Sequence, residues 1–347
     1  MRNAAGVRHY FTEAFTPYGY ISLLPELLRE VEHTYLLTGV AGTGKSTMIK
    51  LIGIQLLDRG YDLDYIRSAK EPDSVAGLFL PKQKIAVFDK NEFLPPNLLS
   101  TAAEREVDFN FLCRRSKLER YQDKIATLND RLREIEQQII KALQVDYRPE
   151  TTLLAKLSSE TTITIESIFT FRKDLEVGQQ GDRYAELDEI AKILAKIKKN
   201  RLSFYFLHSL QIDGWLNLAP RFIKEYDRIC LEGEKSSQIL DDILQEVRAL
   251  GQVLEIIVHP LKPYTVVGIV FPEKNLAVWK GNPCKIEEQG FTRTHSLLLL
   301  QALENYKKAK AELKSLISDC VNYRGLDELR SEVMSSILVD LKKSQAN

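Results

Sequence analysis

A glycine-rich loop between a β-forming run and an apolar helical run constrains this chain more than any other feature. His33–Thr38 is short and β-rich, residues 39–47 read GVAGTGKST, and Met48–Leu57 is predominantly apolar. A strand that passes through such a loop into a helix is the context of the GxxxxGK[ST] motif and a building unit of α/β folds. The pattern predicts an α/β architecture with this loop at the carboxyl edge of a sheet.

The residue types of the loop suit a polyphosphate. Glycines allow left-handed backbone and let N–H groups approach phosphate oxygens, while a helix that starts near Lys45 directs its positive end at the anion. We expect Lys45 to reach the β- and γ-phosphates as a catalytic group, and Ser46 to bind Mg²⁺. A glycine turn that precedes a helix by chance is the alternative. The expected nucleotide-binding residues are Gly39, Val40, Ala41, Gly42, Thr43, Gly44, Lys45, Ser46 and Thr47.

A second apolar run ends in an acid, as a magnesium-binding strand would. Residues 84–89 read KIAVFD, so Asp89 is expected at the carboxyl edge of the sheet and close to the metal. Glu92 follows and is a candidate catalytic residue that orients an attacking water. The alternatives are an ordinary strand-end aspartate and a solvated loop glutamate. Weaker candidates are Asp73 and Arg67, which flank the same edge. Arg114 and Arg115 could supply a transition-state charge, or form a solvated helix face.

The chain carries an internal repeat. Residues 60–92 align without a gap with 251–283 at a shift of 191, and ten of these 33 positions are identical. Average composition would give roughly two identities. Upstream, Tyr10-Phe11 answers Tyr205-Phe206 at a shift of 195. The repeat predicts a duplicated α/β unit, with chance similarity of two such units as the alternative, and duplicated halves often pack as a pseudo-symmetric pair.

The second copy has lost the features that suit a nucleotide. Residues 233–237 read GEKSS, so compared with Gly39–Lys45 four residues are missing between glycine and lysine. Lys235 and Ser236 are therefore interpreted as remnants of the loop, with a ligand-binding role as the alternative. Asp89 is answered by Lys280. We expect one active nucleotide site in the first copy and a degenerate second copy.

Helical segments follow each α/β segment. Apolar residues at 3-4 spacing predict a coiled-coil seam, and a second run over 187–197 could pair with it as an antiparallel hairpin. These segments either complete the cores or form a surface for a protein partner. The predicted domains are 1–100, 101–200, 201–290 and 291–347. The seam residues are Leu118, Tyr121, Ile125, Leu128, Leu132, Ile135 and Ile139.

Composition narrows the class of protein. The chain has 347 residues, 44% hydrophobic, with 48 basic and 48 acidic side chains. Zero net charge disfavours a non-specific nucleic-acid binder, which needs a basic surplus. Four cysteines without a CxxC pair argue against a disulfide framework or zinc site and favour a reducing compartment. With no signal-like or membrane-length apolar run, we expect a cytoplasmic protein without a membrane anchor.

The sequence resembles the bacterial duplicated P-loop proteins labelled only as ATPase or ATP-binding protein, which are common in spore-forming bacteria. The shared elements are His9-Tyr-Phe11 with Thr16-Pro17-Tyr-Gly19, the loop at 39–47, Asp73-Ser74 and Asp89. The resemblance implies tandem P-loop NTPase-like units with mainly parallel sheets. It departs after Asp89, where residues 90–96 read KNEFLPP instead of a small-residue and histidine-containing stretch, and this weakens transfer of kinase-like activity.

Three functions remain open at this point. The first is Mg²⁺-dependent binding and hydrolysis of ATP, or GTP, which the sequence does not separate. The second is a small-molecule or nucleotide kinase, which needs an acceptor pocket. The third is a nucleotide-gated interaction module, in which nucleotide sets the position of the helical segments and turnover is incidental.

Overall fold

The computed structural model describes residues 6–28, 31–90, 103–149, 202–211, 214–233, 235–249, 253–285, 291 and 295–346. The strands in these ranges are β1 (Val7–Tyr10), β2 (Glu13–Thr16), β3 (Gly19–Ser22), β4 (His33–Thr38), β5 (Leu63–Arg67), β6 (Val75–Leu80), β7 (Ile85–Asp89), β8 (Ala103–Asp108), β9 (Leu202–Tyr205), β10 (His208–Gln211), β11 (Gly214–Asn217), β12 (Asp227–Leu231), β13 (Leu254–His259), β14 (Lys262–Phe271) and β15 (Leu276–Lys280). The helices are α1 (Leu24–Leu28), α2 (Lys45–Asp58), α3 (Arg115–Tyr147), α4 (Ala219–Phe222), α5 (Ser236–Ala249), α6 (Leu297–Ser318) and α7 (Arg324–Ala346).

The architecture is mixed α/β, and the chain divides into two compact units. The first unit contains residues 1–10, 28–142 and 296–347, and the second contains 11–27 and 143–295. These units do not coincide with the four contiguous domains expected from the sequence, because the C-terminal helices belong to the first unit. The early hairpin β2–β3 belongs to the second.

The first unit is built on a six-stranded sheet in the order β1-β5-β6-β7-β4-β8. The pairs β1/β5, β4/β7 and β4/β8 are parallel, and β6 runs antiparallel to both of its neighbours. The sheet is therefore mixed, whereas the sequence predicted a mainly parallel one. Strand β8 was not expected, because residues 101–200 were interpreted as helical.

Helices stabilise the first unit by burying apolar faces. Helix α2 buries Met48, Ile49, Ile52 and Leu56, a helical spacing that covers one side of the sheet. On α3 the predicted seam residues from Ile125 to Ile139 are buried. Two side-chain pairs join α3 to α6, among other contacts in the described residues: Lys124 with Glu312 at 2.9 Å and Tyr306 with Glu136 at 3.2 Å. Their order shows that α3 and α6 run antiparallel; the hairpin predicted with 187–197 lies outside the described residues.

A buried carboxylate fixes α7 to the sheet. Asp340 is fully buried and accepts the hydroxyl proton of Tyr35 at 2.7 Å. Arg105 donates to both Tyr35 and Asp340, at 2.8 and 3.2 Å, and Lys343 donates to Asp340 at 3.3 Å. Tyr35 lies on β4 and Arg105 on β8, so this network ties α7 to the two strands that flank the start of the glycine-rich loop.

The second unit has a five-stranded sheet in the order β12-β15-β14-β13-β9. Its core joins that sheet to α5 and to the early hairpin, through Phe11, Ile21, Leu240, Val266 and other buried apolar residues. The hairpin is attached by reciprocal backbone hydrogen bonds between Phe11 and Phe206, both 2.9 Å.

A second group of buried rings, the Phe291 cluster, lies in the same unit. The ring of Phe291 is 4.6 Å from His208, 4.5 Å from Trp215 and 4.5 Å from His259 between centroids. His208 is 1% exposed, and neither of its ring nitrogens has a hydrogen-bond partner in the described part of the chain. This imidazole is therefore buried as an apolar ring.

Strand registers repeat between the sheets at the spacing of the sequence repeat. In the β6/β7 pair Gly77 faces Phe88, and in the β14/β15 pair Gly268 faces Trp279, each shifted by 191. Both glycines lie under the facing aromatic ring, where a Cβ atom would come within 2.5 and 2.4 Å of it. The irregularity in β5/β6 after Ile66 also recurs in β13/β14 after Ile257. The three consecutive antiparallel strands β5–β7 of the first unit and β13–β15 of the second, each called the β-meander, therefore have equivalent strand pairing, residue for residue.

Among the described helices, none combines the length and apolar character needed to cross a membrane.

Candidate functional site

The glycine-rich loop follows β4 directly and leads into α2. Gly39, Gly42 and Gly44 have φ values of 123°, 93° and 98°. These values lie in the left-handed region that only glycine occupies without strain. The loop residues expected from the sequence are therefore in a tight turn with glycine at each position that requires it.

Lys45 is the first residue of α2 and its side chain folds back into the loop. It is 3% exposed, and its Nζ donates to the carbonyl oxygens of Gly39 at 2.7 Å and Val40 at 2.9 Å. The carboxylate of Asp89 lies 3.7 Å from the same nitrogen. A buried ammonium needs such partners, because burial of an unpaired charge is costly. The loop thus encloses the ammonium group of Lys45 at the N-terminus of α2.

Asp89 reaches this cation because β4 and β7 are parallel neighbours. In their register Leu37 faces Asp89, one residue before β4 ends. The side chain of Asp89 is 12% exposed. The structure therefore brings together the lysine and the acid that the sequence predicted at this edge.

Two hydroxyls hold the loop and the start of α2. Thr43 is fully buried and donates to the carbonyl of Val40 at 3.0 Å. Ser46 Oγ accepts the backbone N–H of Val75 at 2.9 Å. A hydroxyl oxygen has two acceptor lone pairs, so this hydrogen bond leaves Ser46 one for a cation. Ser46 and Asp89 offer the hard oxygen ligands that Mg²⁺ prefers, and they fit its usual mode of one or two protein oxygens completed by phosphates and water.

The end of β8 forms one wall of the loop. Asn110 Oδ1 accepts the N–H of Val40 at 3.2 Å, and its own N–H donates to Asp108 at 2.8 Å. A Cβ atom on Gly39 would lie 3.0 Å from that of Phe109. These residues were not among the candidates expected from the sequence. The alternation in residues 103–108, which read AEREVD and are followed by Asn110, is the signal that could have indicated a strand end here.

The C-terminal helices form the other wall. A Cβ atom on Gly42 would lie 3.3 Å from Lys314 Cα and 3.3 Å from Ile317 Cβ, both on α6. One on Gly44 would lie 3.4 Å from Leu326 on α7. No sequence pattern indicated that residues some 270 positions downstream contact the loop.

The segment between β5 and β6 connects the same elements by charge. Glu71 is 8% exposed and pairs with Lys314 at 2.5 Å and with Lys310 at 3.7 Å, both on α6. Lys70 pairs with Glu136 of α3 at 3.0 Å. This segment ends at Val75, whose N–H binds Ser46. A short path of contacts therefore runs from the start of α2 to the long helices of the first unit.

The weaker predicted residues have structural partners instead. Arg67 donates to the carbonyl of Pro72, and the carbonyl of Asp73 accepts the ammonium of Lys50. Arg115 is 91% exposed and pairs with Glu119 on its own helix, and Arg114 is also exposed. Glu92, the predicted catalytic residue, lies outside the described residues.

The loop of the second unit is shorter than its counterpart. The register pairs Leu231 with Lys280 where the first unit pairs Leu37 with Asp89, so Gly233 answers Gly39. Helix α5 starts at Ser236 and has 14 residues, as α2 has. The position of Lys45 is therefore taken by Ser236 and not by Lys235, which corrects the sequence alignment, and three residues are missing instead of four.

A cation replaces the acid in the second unit. Lys280 ends β15 and donates to Ser237 Oγ at 2.7 Å. Ser237 stands where the first unit has Ser46, at a shift of 191. An ammonium at this point repels a divalent cation, whereas Asp89 would attract one.

Comparisons of the chain with protein-family models, with curated proteins and with solved structures find no match.

Proposed function

We propose that the first unit binds a nucleoside triphosphate, ATP or GTP, with Mg²⁺ and hydrolyses it, and that the second unit is a degenerate P-loop-like copy. The observation that carries the proposal is the position of Lys45 inside a loop of three left-handed glycines at the tip of α2. Such a loop would offer a polyphosphate its backbone N–H groups, the N-terminus of a helix and an ammonium group.

The proposed roles follow from where each group lies. Lys45 is already held by the loop carbonyls, and from this position its ammonium would neutralise negative charge on the β- and γ-phosphate oxygens. Ser46 would bind Mg²⁺ with its second lone pair, and Asp89 would hold the ion directly or through water. The ion supplies charge neutralisation at the phosphate oxygens when it is bound.

The pairing of Asp89 with Lys45 also bears on how Mg²⁺ and nucleotide would bind together. In the absence of nucleotide its carboxylate compensates the buried charge of Lys45 at 3.7 Å. A triphosphate with its metal ion brings both signs of charge to this pair, so neither side chain would be left uncompensated. We therefore expect Mg²⁺ and nucleotide to bind cooperatively.

Lys45→Ala tests the proposal, with Lys235→Ala as the matched control from the second loop. Isothermal titration with ATP and Mg²⁺ should show affinity more than 100-fold weaker for Lys45→Ala, a loss of about 3 kcal/mol. Lys235→Ala should bind ATP with an affinity within about twofold of that of the original chain, because Lys235 lies before α5 and is not its first residue. Circular dichroism would verify folding, and Lys45→Met, which keeps the apolar stem, would repeat the test. Unchanged ATP affinity in both Lys45 variants would refute the proposal.

A second candidate function, a nucleotide-gated interaction module, is favoured by the packing of α6 on Gly42 and by the Lys314–Glu71 ion pair. Nucleotide at the loop would act on these contacts, and the long helices would present the result to a protein partner. A phosphate-release assay separates the two functions. Tight ATP binding with negligible release favours the module, and steady release of phosphate favours hydrolysis.

A further inference from the structure

We propose that two exposed aromatic side chains beside the glycine-rich loop, Phe111 and Tyr323, stack on the base of the bound nucleotide. Phe111 is 62% exposed and Tyr323 is 51% exposed. The inference rests on the proposed nucleotide binding and adds the chemistry by which the nucleoside end is held.

Phe111 lies in a short turn that touches the first residues of the loop. The turn spans Asn110–Leu112, and its Asn110 side chain accepts the N–H of Val40 at 3.2 Å. Phe109, just before the turn, is fully buried against Gly39. The backbone that carries Phe111 is therefore fixed to the loop while its ring extends into solvent.

Tyr323 lies in the connection between α6 and α7, the two helices that pack on Gly42 and Gly44 of the loop. Leu326, three residues later, is the residue that packs on Gly44. The hydroxyl of Tyr323 is 2.8 Å from Ser318 Oγ, so one hydrogen bond fixes the ring's polar end and leaves its face available. A ring held in this way loses little rotamer freedom when a ligand stacks on it.

The two turns form one continuous support. The N–H of Asn322 donates to the carbonyl of Leu112 at 2.7 Å, and the N–H of Arg114 donates to that of Cys320 at 2.8 Å. Single exposed apolar side chains are common on protein surfaces and need no function. Two aromatic rings on joined turns are a more specific arrangement when one turn is bound to the loop through Asn110 and the other connects the two helices that pack on it. A nucleotide held by its phosphates in the loop would extend its base towards these turns.

Stacking also determines the expected selectivity. Every base has a π-face, so aromatic platforms bind bases with little preference among them. We therefore expect ATP and GTP to bind with affinities within about fivefold of each other, and both to bind at least tenfold more tightly than inorganic tripolyphosphate.

The test is titration of ATP, GTP and inorganic tripolyphosphate, each with Mg²⁺, into the full chain and four variants, Phe111→Ala, Tyr323→Ala, Phe111→Trp and Val339→Ala. Phe111→Ala should weaken ATP and GTP roughly tenfold and leave tripolyphosphate within about twofold. Phe111→Trp should retain nucleotide affinity, since a larger ring preserves stacking. Val339→Ala, at a 50% exposed apolar position on α7, is the control and should change none of the three.

Two results would overturn the inference while the phosphate site stands. One is equal affinity of the original chain for ATP and tripolyphosphate, and the other is unchanged ATP affinity in both Phe111→Ala and Tyr323→Ala. If neither ATP nor tripolyphosphate binds the original chain, the proposed function itself is wrong and the base platform is rejected with it.

Discussion

Acidification should destabilise the second unit through His208. This imidazole is 1% exposed within the Phe291 cluster. Burial, together with a smaller effect of the neighbouring His259, lowers the pKa of His208 from its ordinary value of 6.5 to about 3. In the folded unit His208 is therefore neutral over a range in which an unfolded chain would protonate it.

The sign and size follow from linkage. Between about pH 6.5 and pH 3 the unfolded chain binds one more proton at this residue than the folded chain, so stability falls as pH falls through this window. At pH 5 the loss relative to pH 8 is about 2 kcal/mol, and each further unit of acidification adds about 1.4 kcal/mol until the folded pKa is reached.

Tryptophan fluorescence measures this unit selectively, because both tryptophans, Trp215 and Trp279, lie in it. Urea unfolding at pH 8 and at pH 5 would give the free energy of unfolding for the original chain and for His208→Leu. The variant should lose about 2 kcal/mol less on acidification. At pH 8 it should be at least as stable, because the substitution removes two buried nitrogens that lack hydrogen bonds.

His295 provides the comparison. Burial lowers its pKa as well, but the charge of Asp146 opposes the shift, so His295→Leu should reduce the pH dependence less than His208→Leu does. Since each protein is compared with itself at two pH values, a packing defect in either variant cancels. Equal pH dependence in the original chain and His208→Leu would refute the reasoning.

Two further predictions concern the first unit, and both can be measured by urea unfolding followed by circular dichroism. Asp340→Ala should cost about 2–4 kcal/mol, because it removes a fully buried carboxylate and leaves the hydroxyl of Tyr35 without its acceptor; an unchanged midpoint would contradict this role. Gly77→Ala should cost about 1–3 kcal/mol, because its Cβ would lie 2.5 Å from the ring of Phe88. Gly6→Ala, whose Cβ has only an ordinary contact at 3.4 Å, should cost much less, and equal losses at both glycines would exclude this packing argument.

Local sequence signals predicted the centre of the candidate site well. The loop, its strand and its helix were visible because glycine, β-branched and apolar residues act over a few positions. Asp89 was found because a buried strand must end where polar residues begin. The repeat was detected because aligned strands with the same register keep the same small and large residues, such as Gly77 under Phe88.

Contacts between distant segments were not predictable in this way. Strand β8 was missed because its described side chains are mostly exposed and polar, and because residues 101–200 were expected to be helical. The packing of Lys314 and Leu326 on the loop depends on how the last two helices fold back onto the first unit. That the early hairpin belongs to the second unit has no local signal, because the sequences of its two strands would look the same in either unit.

A comparison of the two units distinguishes the residues that determine the fold from the residues that determine the candidate site. The β-meander keeps the same pairing in both, including a left-handed residue before its last strand at Lys84 and at Asn275. Buried side chains and facing rings set that pairing, and they tolerate few changes. The loop differs between the units: it is three residues shorter in the second, and Lys280 stands where the first has Asp89, while the helix after it has the same length. A difference in nucleotide binding between the units would therefore require changes only at the sheet edge, with the same core supporting that edge in both.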